Sequence, residues 1–501
     1  MSGGPLYGLV FVLSLAAYVL AFLSWRRERP RAAIAFLLAG GFCLRLYAAG
    51  DGFLHSWDER FHALVAKNLI AHPFRPMLYD VPLLPYEPGA WTENHVWLHK
   101  PPLALWLMAL SMTVVGVNEL AVRLPSLLLS TAGIYATYRM GAAWKGVGVG
   151  LLAASLQSVN SFLILLAAGW VATDHPDTVL VALVGLATAT VAVGGPSTGA
   201  FAVLGALSGL GVLGKSLPGL LPLPLGLAWH WGGHVPRGAL LARTALALAV
   251  CVVVALPWSL YSAHAFPVES ALEHDYTLRH FVEPLEGHQG SALYYFGQLP
   301  KVYGELIYLA LLWFLWRLAR GGGGGRGPVE RALALWMLLP YAIFSLAATK
   351  MPGYVMVAAP AVFLIQAACC AWLRQRWGGS RGRRLGIALA LSGLIALPVR
   401  TVLDGLRLFR PYDRQPTWAE NLRQLGTRLA GSRAVVLGSP RPIEAMFYTS
   451  QTAYSFVPDR RTVESLQARG YRVLICDSPG LGSSHRGWPG VEYVTAGCDR
   501  P

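Results

Sequence analysis

Charged residues are scarce in this chain of 501 residues. Asp, Glu, Lys and Arg make up only 13% of it, whereas soluble domains carry about a quarter. Hydrophobic residues make up 54%. The shortage of charge excludes a soluble enzyme and a disordered chain, and it predicts a polytopic membrane protein.

Motifs for nucleotide and zinc binding are weak or missing. Residues 209–216 (GLGVLGKS) match the letters of a glycine-rich phosphate loop, but they lie inside an apolar run and not after a strand, so we expect no nucleotide cofactor. None of the six cysteines lies in a CxxC or His/Cys spacing typical of zinc sites. Cys476 and Cys498 fall in the polar last hundred residues, and the sequence leaves open whether they form a disulfide.

The charges that are present have an uneven distribution. Five short loops (24–31, 139–145, 232–243, 317–331 and 374–384) hold seventeen Lys and Arg against two acids. Two longer loops of opposite parity, 50–102 and 258–302, hold six basic residues against eleven acids. Because cytoplasmic loops of membrane proteins are rich in Lys and Arg, the excess of +15 marks the cytoplasmic side and is no footprint of nucleic acid. Loops 50–102 and 258–302 are therefore predicted to be extracytoplasmic.

About twelve apolar runs can be read as membrane spans. The runs lie near 5–23, 32–49, 121–140, 146–168, 176–194, 200–214, 217–231, 239–257, 303–317, 332–348, 353–373 and 385–400. Residues 103–118 are predicted to form an interfacial or re-entrant helix, and Gly321–Gly325 a flexible linker. The predicted fold is an α-helical polytopic membrane domain at 1–400, in a cell (inner) membrane, followed by a small extracytoplasmic α/β domain at 401–501.

Acidic residues at the edges of predicted spans are the first candidates for chemistry. Asp58 and Glu59 follow an early span, and Asp174 stands where one span ends and another begins. Ionisable groups at such depths are costly and therefore suggest function. In each case the alternative is a carboxylate that stabilises the first turn of a helix.

Cations and histidines form a second set of candidates on the same predicted face. The cations are Lys100, Lys215, Arg279, Lys350 and Arg60; the neighbouring residues of interest are His99, His274 and Tyr354. Several cations on one membrane face predict an anionic ligand, for which a lipid-linked phosphate is the obvious choice. The alternative for each lysine is a side chain that reaches towards lipid headgroups.

The order of these motifs resembles a known family. Asp58-Glu59 after an early span, His99-Lys100-Pro101-Pro102-Leu103, Thr173-Asp174, Glu273-His274 with Arg279, and Thr349-Lys350-Met351-Pro352-Gly353-Tyr354 follow in sequence. This order is similar to that of the GT-C membrane glycosyltransferases, in the bacterial branch that includes aminoarabinose lipid A transferase and relatives of protein O-mannosyltransferases. The likeness covers roughly residues 32–400.

The resemblance implies an activity and roles for single residues. Such enzymes transfer a sugar from a polyprenyl-phosphate donor at the extracytoplasmic face, with inversion at the anomeric carbon. Asp58 matches the catalytic aspartate, and Lys100 and Arg279 match cations that bind the donor phosphate. His99 stands where the aminoarabinose transferase has a glutamate that holds a divalent metal with the residue matching His274. A Zn, Mg or Mn ion at these two histidines therefore remains an alternative to a metal-independent site. Arg60 stands one position earlier than the arginine of the family pattern.

The rival hypothesis is a lipid or glycolipid transporter, which would need a cationic cavity but no general base. Inverted repeats with broken helices in both halves would favour it, and the sequence has no such symmetry. The expected partners are a polyprenyl-phosphate-linked sugar, a lipid or protein acceptor and membrane lipids, with no nucleic acid. The sequence identifies neither the sugar nor the acceptor.

Overall fold

The architecture is taken from a computed structural model of the chain. It describes residues 4–320, 327–376, 384, 386–387, 412–477, 481–495 and 498. The predicted linker Gly321–Gly325 and all but two residues of the predicted span 385–400 lie outside the described residues.

The chain forms two compact units. Unit 1 comprises Met1–Ala49, Lys100–Ala104 and Arg123–Pro411, and unit 2 comprises Gly50–His99, Leu105–Val122 and Tyr412–Pro501. This division differs from the sequence-based boundary at residue 400, because the first long loop packs with the C-terminal segment. This association cannot be read from the sequence, because the apolar residues that form the common core lie more than 300 positions apart in the chain.

Helices make up most of the first 376 residues. They are α1 (Gly4–Arg26), α2 (Pro30–Ala48), α3 (Asp58–Leu69), α4 (Pro102–Val115), α5 (Glu119–Lys145), α6 (Val147–Ser158), α7 (Ser161–Ala167), α8 (Asp174–Gly194), α9 (Thr198–Lys215), α10 (Pro222–His230), α11 (Arg237–Ala265), α12 (Pro267–Val282), α13 (Tyr294–Tyr303), α14 (Ile307–Ala319), α15 (Gly327–Leu346) and α16 (Ala359–Arg376). Short 3₁₀ helices cover Leu217–Leu220 and Pro352–Ala358. Proline begins several helices, as at Pro30 and Pro102, because the first turn needs no N–H donor there.

Among the described residues, eight helices are long and apolar enough to cross a membrane, or up to ten if each of two bent pairs counts as one span. The chain is therefore an integral membrane protein. Helix α4 has 14 residues, a length of about 21 Å, and is too short to cross about 30 Å of hydrocarbon. The predicted span at 217–231 divides into a 3₁₀ turn and the nine-residue α10, since prolines interrupt it.

One predicted span, 146–168, is broken between α6 and α7, which meet at 60°. The buried Arg45 lies at this break. Its NH1 donates to the carbonyl of Ser158 at 3.0 Å and its Nε to the hydroxyl of Ser130 at 2.7 Å. The guanidinium thus donates to the Ser158 carbonyl at the end of α6, where the break in the span leaves this oxygen without a helical N–H donor.

Helices α9 and α11 pack closely through small residues. A Cβ added at Gly205 would lie 2.3 Å from the carbonyl oxygen of Ala247, and one at Gly209 would lie 2.8 Å from that of Cys251. Glycines four residues apart share one face of α9, so the two backbones approach each other there.

Unit 2 contains a small parallel sheet. Its strands are β1 (Ala434–Leu437), β2 (Thr452–Ala453), β3 (Arg472–Cys476) and β4 (Val491–Val494), in the spatial order β2-β1-β3-β4. Helices α17 (Thr417–Leu429), α18 (Pro442–Thr449) and α19 (Arg460–Ala468) connect or flank the strands. The small α/β domain predicted from the sequence is confirmed, and Cys476 and Cys498 form a disulfide in it.

A single apolar core joins this sheet to the first loop. Leu64 and Trp97 belong to the same buried cluster as Leu422, Val435 and Ile475. Helix α3 therefore rests on the C-terminal part of unit 2.

Candidate functional site

The acidic pair at the start of α3 has two different environments. Asp58 is partly exposed at the first position of the helix, where a carboxylate is favoured by the helix dipole. Glu59 is fully buried, and its Oε2 accepts the backbone N–H of His55 at 2.7 Å and lies 2.9 Å from Nδ1 of the same residue. Both residues are predicted to be catalytic, but only Asp58 is accessible to a substrate.

Helix α3 is attached to the C-terminal helix α18 by two cations. Arg60 places its NH1 3.3 Å from Oε1 of the buried Glu444. Lys67 donates to the carbonyls of Met446 at 3.1 Å and Phe447 at 2.6 Å. Burial lowers the pKa of Lys67 to about 8. Arg60, which the sequence offered as a substrate-binding residue, thus lies in a contact that orients the Asp58 helix.

An aromatic cluster holds the end of the first loop against α3. Phe61 lies 5.0 Å from Trp91 between ring centroids, and Trp91 stacks on His99 at 4.4 Å with an interplanar angle of 7°. His99 also meets Trp97 at 5.6 Å. Lys100 follows in the turn before α4 and is half-buried. The packing of α3 on this segment fixes the course of the chain just before Lys100.

In unit 1, the predicted residues around α8 and α9 come together. Lys215 forms an ion pair with the buried Asp177, and its ammonium stands 5.2 Å from the ring centroid of Tyr354. Asp174 begins α8 and accepts the backbone N–H of His175. The structure thus brings Lys215 and Tyr354 together, and their ionic partner is Asp177.

A glycine lets the 3₁₀ segment approach this ion pair. A Cβ at Gly353 would lie 2.7 Å from Oδ2 of Asp177 and 2.8 Å from Oγ1 of Thr173. Thr173 itself has a φ of +65°, a conformation that a threonine seldom adopts. The strained backbone of Thr173 and the close approach of Gly353 are therefore both found beside the buried carboxylate of Asp177.

Lys350 has local partners. Its Nζ donates to the carbonyls of Phe344 at 3.1 Å and Ser345 at 2.8 Å, and also to that of Ala347. These carbonyl oxygens lie at the C-terminal end of α15, where no following helical N–H is available to donate to them. Burial lowers the pKa of Lys350. This arrangement favours a structural role for Lys350 over the predicted contact with a donor phosphate.

Arg279 and His274 lie on α12, of which no residue is buried. Arg279 pairs with Glu283 one turn later, and both side chains are more than two-fifths exposed. His274 is exposed on the same helix. Arg279 thus remains accessible for an anionic ligand.

The fit of a divalent metal can be judged from the donor set. Within the described residues, no group of three or more His, Cys, Asp or Glu side chains is arranged to hold a metal ion. The ring of His99 stacks on Trp91, a contact that aromatic packing explains. His99 belongs to unit 2 and His274 to unit 1, so the metal at these two histidines stays a prediction.

Sequence reasoning missed the buried partners of the candidates. Asp51, His55 and Glu444 were not singled out, although the acid–His–acid spacing of Asp51, His55 and Glu59 at four-residue intervals is visible. That spacing indicates one face of a helix, and here it joins a loop to the first turn of α3. Glu444 gives no sequence signal, because its partner Arg60 lies 384 positions away.

Comparison with known proteins adds to these observations. Residues 99–261 match the family model described as dolichyl-phosphate-mannose-protein mannosyltransferase. The undecaprenyl phosphate-alpha-4-amino-4-deoxy-L-arabinose arabinosyl transferase 1 of Pseudomonas fluorescens is 28% identical over 307 residues, which are 58% of this chain and 52% of that protein. The corresponding transferase of Pseudomonas aeruginosa is 28% identical over 66% of this chain and 60% of that protein. The matches thus span little more than half the length of these relatives.

Solved structures align with a larger share of this chain. The crystal structure of ArnT from Cupriavidus metallidurans bound to undecaprenyl phosphate aligns with a TM-score of 0.60 and 16% identity, over 87% of this chain and 88% of that one. The chain has the GT-C fold. A second structure, the archaeal oligosaccharyltransferase AglB from Archaeoglobus fulgidus, aligns with a TM-score of 0.56 and 12% identity, over 84% of this chain and 64% of that one. The predicted GT-C fold and the resemblance to aminoarabinose transferases and O-mannosyltransferases are both confirmed.

Proposed function

We propose that this chain is a membrane glycosyltransferase. It transfers a sugar from a polyprenyl-phosphate donor of the undecaprenyl type to an envelope acceptor (lipid A, another glycan or a protein), with inversion at the anomeric carbon. The observation that carries the proposal is the likeness in fold, over nearly the whole of both chains, to an ArnT structure that holds undecaprenyl phosphate. The sequence likeness to aminoarabinose transferases supports it.

Asp58 is the proposed general base. In the transfer step the acceptor oxygen forms a bond to the anomeric carbon, while the bond from that carbon to the phosphate oxygen breaks. The proton of the acceptor hydroxyl passes to the Asp58 carboxylate, and the polyprenyl phosphate leaves as a monoester dianion. The partial exposure of Asp58 supports this role, since a general base must reach the proton that it accepts.

Lys100 and Arg279 are the proposed donor-phosphate ligands. The leaving phosphate gains negative charge in the transition state, and cations near it lower the barrier. Lys215 and Tyr354, which lie together in unit 1, and Asp174 at the start of α8 have contact with the donor sugar as their proposed role. This assignment follows the order of the motifs and the accessibility of Arg279.

The extracytoplasmic face is proposed as the side of the reaction. A disulfide persists in an oxidising compartment, and the Cys476–Cys498 bridge belongs to unit 2. The loop that carries Asp58 belongs to the same compact unit and core. A compact unit lies on one side of a membrane, so the disulfide supports an extracytoplasmic Asp58.

The direct test is sugar transfer by the purified full-length protein in lipid vesicles. Undecaprenyl-phosphate sugars would be offered as donors with lipid A as acceptor, and products would be followed by mass spectrometry. Envelope glycolipids and glycoproteins from cells with and without the gene would identify the natural acceptor. The proposal would be refuted if the envelopes of the two strains were identical and if no undecaprenyl phosphate were released from the sugar donor in vitro.

A further inference from the structure

A buried polar network lies directly before the Asp58 helix. Nε2 of His55 stands 3.0 Å from Oδ2 of Asp51, and Nδ1 stands 2.9 Å from Oε2 of Glu59. The three residues are at most 3% exposed. A single imidazole thus bridges two carboxylates that are shielded from water.

The imidazole and a cation of the C-terminal segment surround the two acids. Carboxylate oxygens only accept hydrogen bonds, and each ring nitrogen of His55 lies within hydrogen-bond distance of an oxygen of one of the two acids. NH1 of Arg414 lies 3.4 Å from Oδ1 of Asp51 and places a positive charge beside it. Buried charges are tolerated when they are paired in this way, and the removal of one partner is strongly destabilising.

The network connects the first loop to the beginning of the C-terminal segment. The hydroxyl of Tyr412 donates to Oδ1 of Asp51 at 2.6 Å. The backbone N–H of Gly52 donates to the carbonyl of Arg414 at 2.8 Å. A line of hydrogen bonds therefore runs from Tyr412 through Asp51 and His55 to Glu59, the residue after Asp58.

The link to Asp58 is made by the backbone. Glu59 accepts both the backbone N–H and the ring of His55, which closes the turn from residue 55 to residue 59. Asp58 lies inside this closed turn and is partly exposed. The direction of the Asp58 carboxylate thus depends on a turn whose closing groups are buried.

We propose that Asp51, His55, Glu59 and Tyr412 are positioning residues for Asp58. This inference rests on the proposed function, and it assigns Glu59 to the support of the general base and not to proton transfer. A carboxylate with no exposed surface cannot meet an acceptor hydroxyl, whereas it can hold the turn that aims its neighbour. Small displacements of a reacting group reduce rates by up to about 100-fold, so the network acts on turnover more than on donor binding.

Two substitutions test the network in the full-length protein, and Tyr412→Phe is the milder of them. Tyr412→Phe removes one hydroxyl donor, and His55→Gln keeps a hydrogen-bonding side chain but removes the imidazole that bridges the two carboxylates. The matched controls are Tyr471→Phe, in the same unit, and His72→Gln, whose exposed ring faces an exposed Asp80. Thermal unfolding of each purified protein fixes a temperature at which all are folded.

Three quantities are measured at that temperature. The turnover number should fall about 10-fold or more for both network variants and stay within twofold for both controls. The affinity for undecaprenyl phosphate should change less than threefold in all four. Hydrogen exchange of the amides at 55–59 should become faster in the network variants alone, because the N–H of His55 loses a fixed partner.

The outcomes separate this inference from the proposed function. Network variants that are folded and keep a turnover number within twofold of wild type would overturn the positioning role. Equal losses in donor affinity and turnover would also overturn it, since they indicate general disruption of the site. If the wild type transfers no sugar, the proposed function fails; exchange at residues 55–59 then decides whether the network closes the turn.

Discussion

Adjacent residues at the start of α3 have opposite environments. Asp58 is partly exposed, and Glu59 is buried against His55. A helix rotates by about 100° per residue, so two consecutive carboxylates cannot face the same surroundings. The two acids are therefore separable by mutation.

Asp58→Asn is expected to lower turnover by about 100-fold or more, because an amide cannot accept the proton of the acceptor. Donor affinity and thermal stability should stay near those of wild type, since Asn also suits the first turn of a helix. Asp80→Asn, in the same loop and exposed, is the control. A purified Asp58→Asn protein with near-normal transfer would contradict the role as general base and leave the transporter hypothesis open.

Lys350 and Lys100 are expected to respond differently to the loss of charge. Lys350→Met should lower the unfolding temperature, because three carbonyls at the end of α15 lose their donor. Its affinity for undecaprenyl phosphate should be unchanged at temperatures where it is folded. Lys100→Ala should weaken that affinity, with a smaller loss for Lys100→Arg. If direct binding showed a weaker affinity for Lys350→Met and an unchanged affinity for Lys100→Ala, the donor phosphate would lie at Lys350 instead.

At the scale of elements, close helix packing in unit 1 depends on glycine at a few positions. Gly205 and Gly199 lie on the same helix, α9. A Cβ would meet the backbone of Ala247 at the first position and nothing within 4 Å at the second. One substitution can thus be compared at a packed and at an open position of one helix.

Gly205→Ala is expected to destabilise the protein by about 1–3 kcal/mol, which is typical of overpacked interiors. Gly199→Ala should be neutral or slightly stabilising, because alanine has the higher helix propensity. Thermal unfolding of the two variants in the same detergent gives the comparison. Equal unfolding temperatures would mean that α9 and α11 are farther apart than the structure has them.

Helix α3 shows how an element can take its position from distant sequence. Arg60 and Lys67 contact Glu444, Met446 and Phe447. The apolar residues of the first loop and those of the C-terminal sheet belong to one buried core.

For the whole molecule, the distribution of charge predicts an orientation that can be measured. A reporter active only outside the cytoplasm should be active when fused after residue 401 and silent when fused at 378. The reason is that the loops with excess Lys and Arg remain in the cytoplasm. An active reporter at 378 with a silent one at 401 would invert the orientation and, with it, the proposed side of the reaction.

The disulfide gives a second, independent measurement of the same orientation. Cys476 and Cys498 should resist alkylation in membranes from intact cells and react after reduction. Because the bridge closes a loop with a sequence separation of 22, the Cys476→Ser/Cys498→Ser variant should lose about 3 kcal/mol in the stability of unit 2. Cys43→Ser is the control, as Cys43 is unbridged. Both cysteines found alkylated without reduction would contradict an oxidising location.

The sequence alone determined the properties that depend on local composition. Apolar runs of membrane length and the excess of Lys and Arg in alternate loops sufficed to predict a polytopic membrane protein. The GT-C fold was predicted from a family resemblance, which the order of Asp58, Lys100, Asp174 and Tyr354 carries. The alternation of charged loops also predicted that residues 103–118, which include most of the short α4, do not cross the membrane. These properties arise from neighbouring residues and the solvent around them, so no distant contact is needed to read them.

Only the tertiary structure decided which candidate is buried, which is paired and which is accessible. Glu59 is buried against His55, Arg60 is paired with Glu444, and Lys350 is bound to carbonyls at the end of the preceding helix, α15. The association of the first loop with the C-terminal sheet also emerged only in three dimensions. The physical reason is that burial and ion pairing depend on partners far apart in the chain, and a single sequence gives no distances between them.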